Sequence, residues 1–581
     1  MTRRLLALAF TAFVALTLWA QEAQKREMRT VWIATVSNID WPQTRGTGTA
    51  TINKQKKQLT DLLDGFVKAN MNSVCLQVRP MADALYKSSY EPWSSYLTGT
   101  RGQDPGWDPL AFAVEECHKR GLEINAWVNP YRFSNSSGND CNTAIDKQLK
   151  NSGILMQVGN RIVFNPALKA SRDHLLKVCK EMIQNYDIDG IIFDDYFYPG
   201  GGTPEDSSAP DYQLYTQSNS GMSIGDWRRA NVNQMVKDMW DMVQATKPYV
   251  KFSIGPAGVA GQRSTSATKH GVVPVDEYCR ASDWQYTTIY SDPLAWLEEG
   301  TIDYISPQLY WKTTHVTNPF GPLTNWWSYI AEHFGRHHYA SHNIYFMAET
   351  NTKADWDEIL QQIRYSRQYN RQNAPGVNFY SAKYIDGPTC KGLADYLSQT
   401  LFTHKALEPA MPWHSKTNYD APANLAYSGG TLSWTGVNKK LVRYSVYAVP
   451  LTVTLDEAQS QAFDGIKSDY LVGVTYTPSF KLDASLQSGY WYAVCVVDGW
   501  NNEFAPAFYN LATEYADKVT LVSPIAGAAA IWNQQFAWTA ADDATYELQI
   551  SDDATFGNVL IQRKQITSNT TTIDLGDLAS G

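Results

Sequence analysis

Asp187-Ile188-Asp189-Gly190-Ile191-Ile192-Phe193-Asp194-Asp195-Tyr196-Phe197-Tyr198-Pro199 is the stretch that decides the fold. A short apolar run ends abruptly in two adjacent carboxylates, three aromatics and a Pro-Gly-Gly-Gly break, which reads as a buried strand with an acidic tip. Carboxylates at the mouth of a buried strand carry a desolvation cost that needs a reason. A single one is more often a helix cap or a turn residue. A pair is different, because two like charges in one site raise one pKa and let one carboxyl act as an acid while its neighbour stays ionised. Consecutive strand residues point to opposite faces, so both reach one pocket only if the backbone turns there.

Working outward, apolar strand-like runs alternate with helical stretches from Arg29 onward. The strand runs are 30–36, 73–78, 122–128, 191–193, 250–254, 304–309, 344–348 and 377–380; helical periodicity covers 54–69, 109–120, 171–186 and 224–246. Eight strands with intervening helices predict an enlarged (β/α)₈ TIM barrel over residues 26–408. An open doubly wound sheet is disfavoured, since no Gly-rich phosphate loop follows the first strand. Asp40, Trp41, Arg79, Asn129, Arg132, Asp194, Asp195, Tyr196, Gln308, Tyr310, Trp311, Glu349 and Lys383 all fall just after strand runs. In a barrel of this kind the C-terminal strand ends carry the active site. Asp189 and Asp303 precede their strands and are expected to stabilise the opposite end.

Past a Pro-containing linker at 409–420 the period changes to two. Residues 421–510 predict an all-β sandwich with Trp434 in its core, and 517–581 predict part of a second. At the other end, Thr2-Arg3-Arg4, the apolar run 5–19 and Ala20-Gln21 predict a signal peptide over residues 1–20. The chain is thus expected to be secreted across the inner membrane, periplasmic or extracellular, with no membrane span.

Among 581 residues, 44% are apolar and 18% charged, a globular balance for several domains. The net charge of −9 without a polybasic run excludes a nucleic-acid partner. Seven Cys show neither CxxC nor metal-ligand spacing, so no metal and no cofactor is expected and most should be buried thiols. Twenty Trp and 34 Tyr supply flat amphipathic surfaces suited to sugar rings.

Five segments carry a family resemblance: Met28-Arg29-Thr30-Val31-Trp32-Ile33-Ala34-Thr35-Val36; Gln77-Val78-Arg79-Pro80 with Ala84-Leu85-Tyr86 and Glu91-Pro92-Trp93; Ala126-Trp127-Val128-Asn129-Pro130-Tyr131-Arg132; Asp189 to Tyr196; and Ser306-Pro307-Gln308-Leu309-Tyr310-Trp311. Together they resemble the glycosyl hydrolase-like 10 family. The resemblance implies a TIM-barrel domain and, as for some members, attack on peptidoglycan glycan strands. Residues 421–508 resemble a fibronectin type III module, more weakly. A glycan partner follows, with cell-wall or surface-glycan association through the C-terminal sandwiches.

For the chemistry, ordinary glycosidases use two carboxyls from different strands, and Glu349, Asp40 or Asp83 could partner Asp194. Alternatively the adjacent pair works alone. If the substrate carries a 2-acetamido group, its carbonyl oxygen is the nucleophile, one Asp orients the amide and the other is acid and base. The pair is similar to that of O-GlcNAcase-type hexosaminidases. A non-catalytic glycan-binding protein and a hydrolase of host or dietary glycans are the rival readings.

Overall fold

The computed structural model describes residues 24–575, except 137, 349–350, 373, 388–391, 415–416, 438–441, 454–467, 511–520, 525–528, 530, 532, 540–544 and 553–557. The segment expected to be a signal peptide lies outside the described residues. No helix among those described is long and apolar enough to cross a membrane.

The barrel strands are β1 (Met28–Ile33), β2 (Ser73–Arg79), β3 (Glu123–Val128), β4 (Gly190–Phe193), β5 (Lys251–Ile254), β6 (Tyr304–Ile305), β7 (His337–His338 and Ala340–Asn343) and β8 (Gly376–Tyr380). All pair in parallel, in order, with β1 against β8. The two halves of β7 close the ring: His337–His338 pair with β6, Ala340–Asn343 with β8. A barrel helix follows each strand: α1 (Thr49–Lys68), α2 (Pro109–Lys119), α3 (Lys169–Asn185), α4 (Ile224–Thr246), α5 (Pro293–Glu298), α6 (Phe320–Phe334), α7 (Lys353–Gln368) and α8 (Leu393–Gln399); further helices, Ser95–Thr98, Ala144–Asn151, Tyr212–Ser218 and Trp284–Thr288, lie in the connections. The fold is a (β/α)₈ barrel.

The seventh strand corrects the expectation. The apolar stretch Tyr345–Ala348 is a 3₁₀ turn, and the strand before it runs through the polar-looking residues 337–343. The reason is that His337, His338 and His342 are held neutral: burial drives each down to about 3. A neutral imidazole costs far less to bury than a charged one; Nδ1 of His342 meets Gln362 Oε1 at 3.0 Å, while Nε2 of His342 and of His338 are buried without a hydrogen-bond partner among the described residues.

Strand alternation divides the apolar residues into two layers. Val31, Ile33, Val74, Leu76, Ile124, Ile191 and Phe193 face the helices, whereas Trp32, Cys75, Trp127, Ile192, Tyr304 and Tyr339 fill the interior. A three-stranded antiparallel sheet of residues Arg132–Ser134, Leu155–Val158 and Arg161–Phe164 rises after β3.

Beyond the barrel, a three-stranded sheet (Ala423–Ser428, Thr431–Thr435, Ser479–Lys481) faces a four-stranded one (Arg443–Pro450, Leu471–Thr475, Tyr490–Val497, Glu503–Asn510). Leu432, Trp434, Tyr444, Val446 and Val494 make the shared core. Five further strands in two antiparallel sheets lie between Leu521 and Asp574.

The sandwich sits on the N-terminal face of the barrel through buried charges. Glu123 at the start of β3 takes Lys251 Nζ at 2.7 Å and Arg443 Nη1 at 2.8 Å, and Arg443 also pairs with Glu408 at 2.7 Å. Asp189 accepts Ile124 N–H at 2.8 Å and Tyr476 O–H at 3.0 Å, and the His118 and Tyr476 rings stack at 3.7 Å. Asp303 likewise accepts Phe252 N–H at 2.8 Å and pairs with His414. Both aspartates bind the opposite end of the barrel together.

Six of the seven cysteines are described, and all six are buried and free. Cys390 lies outside the described residues.

Candidate active site

Asp194 donates its N–H to Val128 O at 3.2 Å, the last bond that ties it to β3. Ile192 is interior and Phe193 faces the helices, so alternation would send Asp194 inward and Asp195 out. The chain turns at that point. Asp195 O accepts Phe197 N–H at 3.0 Å, and Asp195 N–H bonds Asp194 Oδ1 at 2.9 Å. The turn brings the Asp195 carboxyl back beside Asp194, the two carboxyls hydrogen-bond to each other, and both are buried.

The environment splits the pair. Burial pushes Asp194 up, while Arg132, its bonds with Asp195 and the Trp127 Nε1–H, 3.3 Å from Oδ2, favour its charge. Burial and then the Asp194 charge push Asp195 well above the usual carboxylate range, and its buried Oδ1 has no hydrogen-bond donor among the described residues. Of the two, Asp195 is raised further, which makes it the better proton holder and Asp194 the better anion.

Aromatic side chains wall the pair. Tyr196 is 39% exposed, and its phenol is pushed up to about 12 by the Asp194 charge, burial and Asp195. The Arg132 guanidinium lies 3.7 Å over the Tyr196 ring. Tyr310 stacks on Tyr380 at 5.6 Å, and burial, Tyr380 and the two aspartates raise its phenol well above its ordinary value. Trp127 is braced edge-on by Trp32 at 4.8 Å. Gln308 and Trp311 are half-buried; Gln308 Nε2 donates to Gly255 O at 3.0 Å.

Other residues expected at the site have protein partners of their own. Asp40 is buried with its oxygens taken by Ala34 N–H at 2.7 Å, Ser381 O–H at 2.8 Å and Lys383 N–H at 3.1 Å, which ties the loop after β1 to that after β8. Arg79 is fully buried, bidentate on Glu91 at 2.8 and 2.6 Å, and donates to Asn129 O. Against burial, Arg79 and His174 hold Glu91 down to about 2. Trp41 is also enclosed, donating to Gln55 O at 2.8 Å, and Asn129 donates to Pro80 O at 2.9 Å. Asp83 pairs with Arg101 at 3.4 Å. Lys383 is half-buried with Nζ 5.1 Å from the Tyr384 ring. Glu349 lies outside the described residues.

Trp127 and Tyr380 also stand beside the acidic pair and Tyr310, outside the residues expected from sequence. Both stand at the C-terminal ends of strands, but each reads from sequence as an ordinary core aromatic. Among the described residues no group of His, Cys, Asp and Glu is arranged to hold a metal ion.

Residues 27–357 match the family described as Glycosyl hydrolase-like 10. The chain is 38% identical over 429 residues to the glycosyl hydrolase YngK of Bacillus subtilis (strain 168), covering 71% of this chain and 80% of that one. It is 31% identical over 397 residues to the glycosyl hydrolase DigH of Escherichia coli (strain K12), covering 65% and 88%. Among solved structures, the PgaB (BpsB) glycoside hydrolase domain from Bordetella bronchiseptica superposes with a TM-score of 0.43 at 11% identity, covering 64% of this chain and 99% of that domain.

Proposed function

This chain belongs to the glycosyl hydrolase-like 10 family and is a glycoside hydrolase, and from that premise we propose that it cleaves 2-acetamido-sugar polymers, specifically peptidoglycan glycan strands, by a substrate-assisted retaining mechanism. The observation that carries the reading is the geometry of Asp194 and Asp195, two adjacent buried carboxyls turned to one side at the end of β4, with the Trp127 N–H on Asp194. In this scheme Asp194, ionised and fixed by the Trp127 N–H, accepts a hydrogen bond from the acetamido N–H. It thereby aims the acetamido oxygen at the anomeric carbon. Asp195 gives its proton to the departing glycosidic oxygen, and the C–O bond breaks as the oxazolinium ring closes. It then takes a proton from the water that opens the ring. Tyr196, Tyr310, Tyr380 and Trp311 supply surfaces for the sugar rings.

The basic and apolar N-terminal segment supports export across the inner membrane; the mature N-terminus of the purified protein tests it. Residues 421–508, fibronectin-like in sequence, and the sheets beyond are proposed to hold the enzyme near its polymer. Loss of sedimentation with cell walls after removal of 517–581 would support that role.

The main test is release of reducing ends from purified glycan strands. Asp194→Asn and Asp195→Asn should each lower the rate by about 10²–10⁴ with folding kept. A thiazoline analogue of the 2-acetamido sugar should compete with substrate. Strong turnover that the thiazoline leaves untouched would transfer the nucleophile's role to a protein carboxylate such as Glu349.

A further inference from the structure

Among the described residues, the buried Arg29, Arg79 and Arg228 of the barrel pair with Glu27 at 2.7 Å, Glu91 at 2.6 Å and Asp211 at 2.6 Å, and half-buried Arg101 pairs with Asp146 at 2.9 Å. Half-buried Arg336 has no ion pair among them, but its guanidinium is taken up by the carbonyls of Ile302 and Gly300. Arg132 is the case at the acidic pair. It stands at the catalytic mouth, half-buried, and among the described residues no carboxylate makes an ion pair with it. Its position is fixed all the same. The loop from β3 delivers it, its Cα pairs with Val163 in the small antiparallel sheet, and its guanidinium plane rests 3.7 Å over the Tyr196 ring. Stacking covers a flat face; the guanidinium edge also reaches the Tyr196 phenol oxygen, but it carries five N–H donors in all, enough for a carboxylate as well. The charge lies within electrostatic range of Asp194, Asp195 and the half-buried Tyr96.

A cation held by stacking beside an acidic pair serves a substrate that carries an anion. A carboxylate brought toward Asp194 would otherwise be repelled, whereas a neutral sugar would need no such counter-charge. We propose that Arg132 is a specificity-determining residue that reads a carboxylate borne by the 2-acetamido sugar seated beside Asp194 and Asp195, as in the lactyl ether of a muramoyl unit. The inference rests on the glycan-strand reading above and sharpens it, because it separates these strands from chitin-type polymers with the same acetamido group and no acid.

The experiment compares three substrates: peptide-free glycan strands, the same strands with the lactyl carboxylates reduced to alcohols, and chitin oligosaccharides. The unaltered protein should cleave native strands about 10–100-fold faster than reduced ones, the span expected for a charge-assisted contact, and chitin oligosaccharides no faster than reduced strands. Arg132→Gln should lose that preference, its rate falling further on native strands than on reduced ones so that the native-to-reduced ratio approaches one; Arg132→Lys should keep part of it. An unchanged melting temperature confirms the fold. Equal rates of the unaltered protein on native and reduced strands overturn the inference and leave the hydrolase reading intact. So does an Arg132→Gln variant that slows equally on both, the mark of a residue that merely tunes the aspartates. Absence of cleavage on all three overturns the glycan-strand reading, and this inference with it.

Discussion

Asp195→Asn is expected to abolish activity and to stabilise the fold, and both signs follow from the same geometry. Asp195 is buried against a second carboxyl and its Oδ1 lacks a donor. Burial and the Asp194 charge raise it well above the usual range. Below the ordinary Asp value of about 3.9, folded and unfolded chains both hold the proton. Above it the unfolded chain releases the proton and the folded one keeps it, so stability declines with rising pH until the folded pKa is passed. Asparagine does not titrate, and its Nδ2–H₂ can donate to Asp194. The variant therefore removes the penalty that grows with pH, about 1.4 kcal/mol for each unit by which the folded carboxyl is raised, and should gain roughly 1–2 kcal/mol at pH 7. For a chain of this size that is a rise of about 1–3 °C in melting temperature. Scanning melts from pH 4.5 to 8, alongside reducing-end release, would show two melting-temperature curves that diverge as pH rises. A variant less stable than the parent throughout this range, or one that turns over at close to the parent rate, refutes the reasoning.

Trp127→Phe keeps the ring against Trp32 but removes the donor to Asp194; initial rates should fall about 10-fold, with a loss of roughly 1–2 kcal/mol in urea unfolding. Glu91→Gln leaves the Arg79 guanidinium buried without its counter-charge, and chemical denaturation should record a loss of about 3–5 kcal/mol. Gly190→Ala would set a Cβ 2.1 Å from Asn125 Oδ1 inside the barrel, so little soluble protein should be recovered. Glu408, at the joint between barrel and sandwich, is raised to about 7 by burial, with Glu123 adding to it against the pull of Arg443. The contribution of Glu408 to stability is therefore full below about pH 4.3 and lost toward pH 7. Glu408→Gln should flatten that part of the stability profile, as a calorimetric pH series can record.

The sequence was sufficient for what depends on local periodicity. Seven of the eight strand runs overlap observed strands, and Asp194 and Asp195 lie at a strand's C-terminal end, because alternation of buried strands with amphipathic helices is written within short windows. The packed Trp434 of the first sandwich was legible for the same reason. The misplaced strand was β7, where three histidines read as polar although burial keeps them neutral.

Only the tertiary structure decided which polar residues face the pocket. Arg79 ends a strand and Asn129 and Asp40 follow strands much as Asp194 does, yet their partners are Glu91, Pro80 and Ser381, 12, 49 and 341 positions away. Nothing in the periodicity of the sequence marks those pairings. The same holds for the direction of Asp195, which depends on a turn closed by Phe197. It holds equally for the arginine left unpaired over Tyr196. Periodicity assigns a residue to an element and an end of it; the burial and charge that give it a chemical role arise only when distant segments close around it.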